Sequence, residues 1–201
     1  MAYDPQRHHR RSIRLRGHDY SQEGEYYVTL CVQDRQRAFG EIQNGRMLLS
    51  EIGNIASACW IEIPRHFPRV LLDEFVIMPD HMHGILILKE CVPVGVQYIE
   101  PRQENIEPQQ DQNIFLNQYQ KIVPASLSSI VRCYKAAVTR LCRREGISEF
   151  RWQRNYYEHI IRDGNDYARV QKYIADNVNK WSEDKENPDN DPAASIERLP
   201  H

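Results

Sequence analysis

No apolar run in this chain approaches the ~20 residues that a helix needs to span a bilayer, so a membrane-crossing segment is not expected. The five cysteines (Cys31, Cys59, Cys91, Cys133, Cys142) include no CxxC pair. An odd, dispersed set excludes an evident disulfide framework or cysteine metal cluster and suits a reducing cytoplasm, where such residues pack. No GxxxxGK[ST] loop occurs, so nothing predicts a nucleoside triphosphate as energy source. The arginines at the start (Arg7, Arg10, Arg11, Arg14, Arg16) have no apolar segment behind them, which argues against a secretion signal. Charge of neither sign dominates: the formal net charge over 201 residues is -2. That balance conceals a basic stretch from Arg7 to His18 and an acidic one from Ser182 to Asp191. A phosphate backbone responds to local basicity rather than to the total.

What is present is concentrated in Phe75-Val76-Ile77-Met78-Pro79-Asp80-His81-Met82-His83-Gly84-Ile85-Leu86-Ile87-Leu88. Two histidines flank one apolar residue at the opening of a strongly apolar run. The run reads as a buried strand, rich in β-branched residues. Strand side chains alternate, so His81 and His83 share one face and Met82 takes the other. Two imidazoles side by side on a rigid strand can hold a divalent cation.

The remaining pattern predicts a small mixed fold. Residues 1–24 read as a basic arm. Tyr26 to Val32 form a first strand, and Gly40 to Leu49 a hairpin around Asn44-Gly45. Ser50 then caps a helix carrying Ile52, Ile55, Ala56, Cys59, Trp60 and Ile63, ended by Pro64 and Pro68. Val70 to Ile77 and Met82 to Leu88 form an antiparallel pair. Val92 to Pro124 turns polar, rich in Gln, Asn and Pro, and reads as an exposed insertion. Ser126 or Ser128 caps a second helix with Leu127, Ile130, Val131, Tyr134, Val138 and Leu141 on one face. Trp152 to Ile161 are expected to be extended. Asp163 or Asn165 caps a last helix running from Asp166 to about Trp181, and residues 182–201 form an acidic tail. The order β, ββ, α, ββ, α, β, α predicts an α+β fold, an antiparallel sheet flanked by helices, with one domain over residues 25–181.

On the last helix Tyr167, Val170, Ile174, Val178 and Trp181 form the apolar stripe. Tyr173 and Asn177 lie four residues apart and share a face beside it. A phenol at one turn can attack, and an amide oxygen at the next can ligate a hard cation. Taken from this helix alone, core packing for Tyr173 and solvent exposure for Asn177 are the commoner roles.

His81-Met82-His83 matches the histidine, bulky apolar, histidine motif of the HUH single-tyrosine nucleases. Met78-Pro79-Asp80-His81-Met82-His83 resembles its form in bacterial single-tyrosine transposases. Trp152 to Asp163 and Tyr173-Ile174-Ala175-Asp176-Asn177 are similar to the subgroup associated with repetitive extragenic palindromes (REP). The likeness runs from about Tyr26 to Trp181, interrupted by the polar insertion. It implies a ferredoxin-like HUH nuclease architecture. His81, His83 and Asn177 would ligate Mg²⁺ or Mn²⁺, and Tyr173 would be the nucleophile. The implied reaction is metal-dependent cleavage and transfer of single-stranded DNA near hairpins, through a 5′-phosphotyrosine that conserves the phosphodiester energy. The subgroup usually follows the Asn177 position with proline, whereas this chain has Val178.

Three neutral ligands would leave the full cation charge available to a phosphodiester, whose own charge repels nucleophiles. A tyrosine of pKa roughly 10 attacks at neutral pH only where ionisation is assisted. Tyr156 and Tyr157 are alternative nucleophiles, though neither has a ligating partner one helical turn away. His159 reads as structural or DNA-facing. Arg14, Arg16, Arg132, Lys135 and Arg140 are the candidate DNA contacts. The expected partner is single-stranded or hairpin DNA, in a cytoplasmic, nucleoid-associated setting, and monomer and homodimer both fit. A non-catalytic hairpin-binding protein is the alternative, which would have no use for a nucleophile. A barrel metal hydrolase would need ~250 residues.

Overall fold

The structure is a computed structural model, and it describes residues 18–90 and 125–181. Arg14, Arg16, Cys91, the polar insertion and the acidic tail lie outside these residues.

Strand β1 (Gly24–Cys31) leads through a short 3-10 turn (Gln33–Arg35) to the hairpin β2 (Gly40–Gln43) and β3 (Arg46–Leu49). Asn44 and Gly45 close that hairpin at φ of 51° and 71°, the left-handed pair that a two-residue turn requires. Helix α1 (Glu51–Ile61) follows, then the single turn α2 (Ile63–His66), the strands β4 (Val70–Ile77) and β5 (His81–Leu88), helix α3 (Leu127–Arg144), strand β6 (Tyr157–Ile161) and helix α4 (Gly164–Asp176). Side chains that compete with backbone for hydrogen bonds begin the three longer helices. Ser50 accepts from the Gly53 amide, Ser126 from Ser129, and Asp163 from both Asn165 and Asp166. Pro64 does not simply end α1. It opens α2, where a missing amide hydrogen costs nothing.

Four strands form one antiparallel sheet in the order β4-β5-β1-β6. With the hairpin set aside, the path is βαββαβ followed by α4. This is the expected α+β, ferredoxin-like arrangement of an antiparallel sheet flanked by helices. Strand alternation divides the molecule at the sheet. Tyr26, Val28 and Leu30 of β1 and Met82, Leu86 and Leu88 of β5 face α1 and α3 in the main core. Tyr27 of β1, Ile85 of β5 and Ile161 of β6 face Val170 and Ile174 of α4 in a smaller one. Gly84 sits beneath Trp60, where a Cβ would lie 2.4 Å from the indole Cζ2, so glycine is demanded by close packing.

Three local expectations shift. Only residues 157–161 of the extended segment enter the sheet. Trp152 makes an isolated bridge to Val32, and residues 153–156 are irregular. Regular α4 ends at Asp176, with Asn177 as its cap and turns continuing to Trp181. Residues 18–23, assigned to the arm, are docked: Tyr20 packs on the main core and its carbonyl accepts from the Leu127 amide.

Candidate active site

The two histidines are placed by strand register. His81 pairs with Cys31 and His83 with Thr29 across β1 and β5, so both rings stand on the α4 face. Met82 points the other way, and its sulfur accepts a hydrogen bond from the Tyr134 hydroxyl in the main core. Both histidines are buried, and their Nε2 atoms face each other at 2.9 Å.

The outer nitrogens explain that contact. His81 Nδ1 lies 2.6 Å from Asp80 Oδ1. A carboxylate only accepts, so Nδ1 carries the hydrogen and Nε2 keeps its lone pair. His83 Nδ1 lies 2.9 Å from Thr29 Oγ1 and 2.7 Å from the Tyr27 hydroxyl. Thr29 donates to Tyr27, leaving its oxygen free to accept from His83 Nδ1–H. In that pattern both Nε2 lone pairs converge on one point, an arrangement that repels unless a proton or a cation lies there. Burial, then the neighbouring His81 and Arg35, hold His83 well below the usual imidazole pKa, which favours the neutral ligand form.

Asp80 and Arg35 form an outer layer missed by the sequence reading. The other Asp80 oxygen is ion-paired with Arg35 Nε at 3.0 Å. Arg35 also reaches Cys31 Sγ at 3.0 Å. Asp34 and Arg35 both adopt φ of 53°, a region that non-glycine residues seldom enter. The carboxylate is thus held between a guanidinium and an imidazole, the kind of support that fixes tautomer and ring orientation in metal sites. The one available signal was a carboxylate directly before His81.

Helix α4 closes the site. The Tyr173 ring meets His83 edge-on at 5.3 Å between centroids, and Trp181 lies 5.9 Å from His81. Asn177, between them by one turn each way, is 3% exposed. Its Oδ1 is buried with no hydrogen-bond partner among the described residues. A buried amide oxygen left bare is costly unless something electropositive meets it. The donor set therefore fits a hard divalent cation: two imidazole lone pairs and one orphaned amide oxygen. Among the described residues no group of three His, Cys, Asp or Glu could hold a metal, so the amide is the third donor the fit requires. Two polar ties dock α4. Asp73, at the irregularity in β4, accepts from the Tyr167 hydroxyl and from Gln171 Nε2. His159 bonds Asp166 at 2.7 Å and so ties β6 to α4.

A cleft of about 430 Å³ opens beside His83 between β1, the 153–157 segment and α4. Tyr156, Tyr157 and Tyr173 all line it, so the structure brings the three candidate nucleophiles to one place. Tyr173, 46% exposed, is the one packed on a histidine and one turn from Asn177. The candidate DNA contacts are not gathered here. Arg132 and Arg140 are exposed on α3, across the sheet. Lys135 is engaged: its Nζ donates to the carbonyls of Gln153 and Asn155 at 2.9 Å each, and burial brings its pKa down to about 8.

The fold is that of a transposase. A REP-associated tyrosine transposase, solved bound to a REP hairpin, superposes on 84% of this chain and 74% of its own, with a TM-score of 0.53 and 21% identity. The chain belongs to the same family as an uncharacterised protein of Haemophilus influenzae (strain ATCC 51907 / DSM 11121 / KW20 / Rd). The two are 40% identical over 178 residues, which is 89% of this chain and 93% of that protein. No family model matches the sequence. Among the described residues no helix is long and apolar enough to cross a membrane.

Proposed function

We propose that this protein is a metal-dependent transferase of single-stranded DNA, an HUH single-tyrosine transposase of the REP-associated type. The observation that carries the reading is a pair of buried imidazoles whose Nε2 atoms face each other at 2.9 Å, under the helix that bears the Tyr173 phenol and the buried, unpartnered Asn177 Oδ1. A hairpin-binding protein without catalysis would have no use for such a set. The solved neighbour bound to a REP hairpin supports hairpin DNA as the partner.

Held by His81, His83 and Asn177, Mg²⁺ or Mn²⁺ would supply positive charge against a non-bridging phosphate oxygen. Tyr173 Oη attacks phosphorus in line with the 3′ oxygen. The Oη–P bond forms and the P–O3′ bond breaks. The phenolic proton passes to solvent, and the leaving oxygen takes one up to become a free 3′-hydroxyl. The strand is left as a 5′-phosphotyrosine. A second 3′-hydroxyl reverses the step and joins a new strand without any external energy source. Asp80 and Arg35 hold His81 in the ligating tautomer, while Thr29 and Tyr27 fix the position of the His83 ring.

The test is covalent capture of a labelled single strand flanking a hairpin. A labelled protein band is expected with Mn²⁺ or Mg²⁺, absent with EDTA, and absent from His81→Ala and His83→Ala. Peptide mapping should recover the nucleotide on Tyr173. An adduct on Tyr156 or Tyr157 would reassign the nucleophile and keep the reaction. Saturable hairpin binding without adduct under any divalent cation would leave the non-catalytic alternative.

A further inference from the structure

We propose that the cleft beside His83 is a nucleobase site, which takes one unstacked base of the strand next to the phosphate at the histidines. This rests on the strand-transfer reading for its placement, and on separate observations for its content. The cleft is about 430 Å³. That lies in the range of sites that enclose a small ligand, ~300–1,000 Å³, and is far too small for a duplex. One end is formed by His83 and Tyr173, so whatever fills it abuts the candidate chemistry. A base stacked in a helix cannot enter such a space; a base turned out of a single strand can.

The lining is of two kinds, and both suit a base. Tyr157 is 50% exposed on β6, with its ring edge-on to Tyr27 at 6.2 Å. It stands on the same sheet face as His83, since it pairs with Thr29 and Thr29 pairs with His83. An exposed aromatic ring over a cleft is a stacking platform, and stacking tolerates any base because each has a π face. Gln153 and Asn155 line the same cleft. A primary amide carries both a donor and an acceptor, the pair needed to bond a base edge in register.

The polar side of the cleft is held rigid, although residues 153–156 belong to no helix or strand. Lys135 Nζ bonds the carbonyls of Gln153 and Asn155, and the Trp152 indole donates to the Lys135 carbonyl at 3.2 Å. The Gln153 amide donates to the Cys31 carbonyl at 2.9 Å. These four hydrogen bonds fix where residues 153 and 155 stand before any ligand arrives. Preorganisation of this kind lowers the entropy lost on binding. It also gives Lys135 a task other than touching phosphate.

The experiment uses the full chain carrying Tyr173→Phe, so that no cleavage intervenes. The probes are single strands flanking a hairpin, which fixes the register, each bearing one 2-aminopurine at successive positions and titrated to saturation. Quenching at one internal position well beyond its neighbours is expected. Adding Tyr157→Ala should abolish that quenching and weaken strand binding about tenfold, while Tyr157→Phe restores both. An abasic step at the quenched position should weaken the Tyr157 protein about tenfold and the Tyr157→Ala protein little, because each change removes the same contact. Uniform quenching, quenching that survives Tyr157→Ala, or additive losses would overturn the base site. So would a lack of saturable binding. A wild-type chain that forms no covalent adduct yet shows position-specific quenching would end the strand-transfer reading and leave the base site standing. The reverse result would end the base site alone.

Discussion

The two faces of the sheet are built to different rules. Toward α1 and α3 the contacts are almost wholly apolar: Tyr26, Val28, Leu30, Met82 and Leu86 pack with Trp60, Ile130 and Val138, none of them exposed. Toward α4 the smaller apolar cluster buries Tyr27, Ile85, Ile161, Val170 and Ile174, with Val76, Ile87 and Tyr167 at its edge, and beside it lie buried Thr29, Asp80, His81, His83 and Asn177. The first face supplies most of the hydrophobic stabilisation, which scales with apolar area removed from water. The second spends part of its buried surface on polar groups, several held in place and one left unsatisfied. Stability and chemistry are thus divided between opposite sides of the same strands, one side chain apart. Substitutions should separate accordingly.

The largest separation is expected at Tyr173. Tyr173→Phe should abolish the covalent adduct and shift unfolding free energy by no more than about 0.5 kcal/mol, because the ring stays and one oxygen leaves a half-exposed side chain. Parallel adduct and urea-unfolding measurements check this. A residual adduct, or a large stability loss, would break the division. The opposite case is Trp60→Ala. Removing a fully buried indole should cost about 3–5 kcal/mol in urea unfolding, with residual activity tracking the folded fraction. Gly84→Ala tests the same contact from the strand side, and should cost about 1–3 kcal/mol because the new methyl meets Trp60.

Asp80→Asn probes the outer layer of the site. An amide in place of the carboxylate no longer enforces hydrogen on His81 Nδ1 and loses the charge paired with Arg35. Mn²⁺ affinity, read by electron paramagnetic resonance on the folded protein, should fall about 10–100-fold. An unchanged affinity would detach Asp80 from the site. The smallest effect is expected at the α4 clamp. Asp73→Ala removes the acceptor for Tyr167 and Gln171, both part-exposed and able to turn to water, and should cost about 0.5–1.5 kcal/mol. Amide hydrogen exchange should quicken in α4 ahead of α1 and α3. Burial and the Asp73 carboxylate raise the Tyr167 pKa, so the phenol stays a donor through the neutral range and the clamp should not respond to pH there.

Much of this architecture follows from pattern along the chain. Period-two alternation placed His81 and His83 opposite Met82, and turn and cap residues such as Asn44-Gly45 and Ser50 marked where elements begin. The four-residue spacing put Tyr173 and Asn177 on one helical face, but it equally allowed Asn177 to meet solvent. Packing of α4 against the sheet buried it instead. That Lys135 donates to the carbonyls of Gln153 and Asn155 was not legible, because charge on a helix says nothing about which carbonyls lie within its reach.

What the sequence determined by itself are the properties set by near neighbours: which side chains share a face, where helices start, and the type of donors available for a cation. Only the tertiary structure decided which donors meet. Thr29 reaches His83 because β1 and β5 pair in one register, across 54 residues of chain. Arg35 reaches Asp80 while two successive residues adopt φ of 53°, a conformation that Asp34 tolerates locally but that no local preference of Arg35 would select. Local propensity acts over a turn of helix or a step of strand, whereas a site of facing imidazoles exists only once distant segments are held together by the packing of the rest.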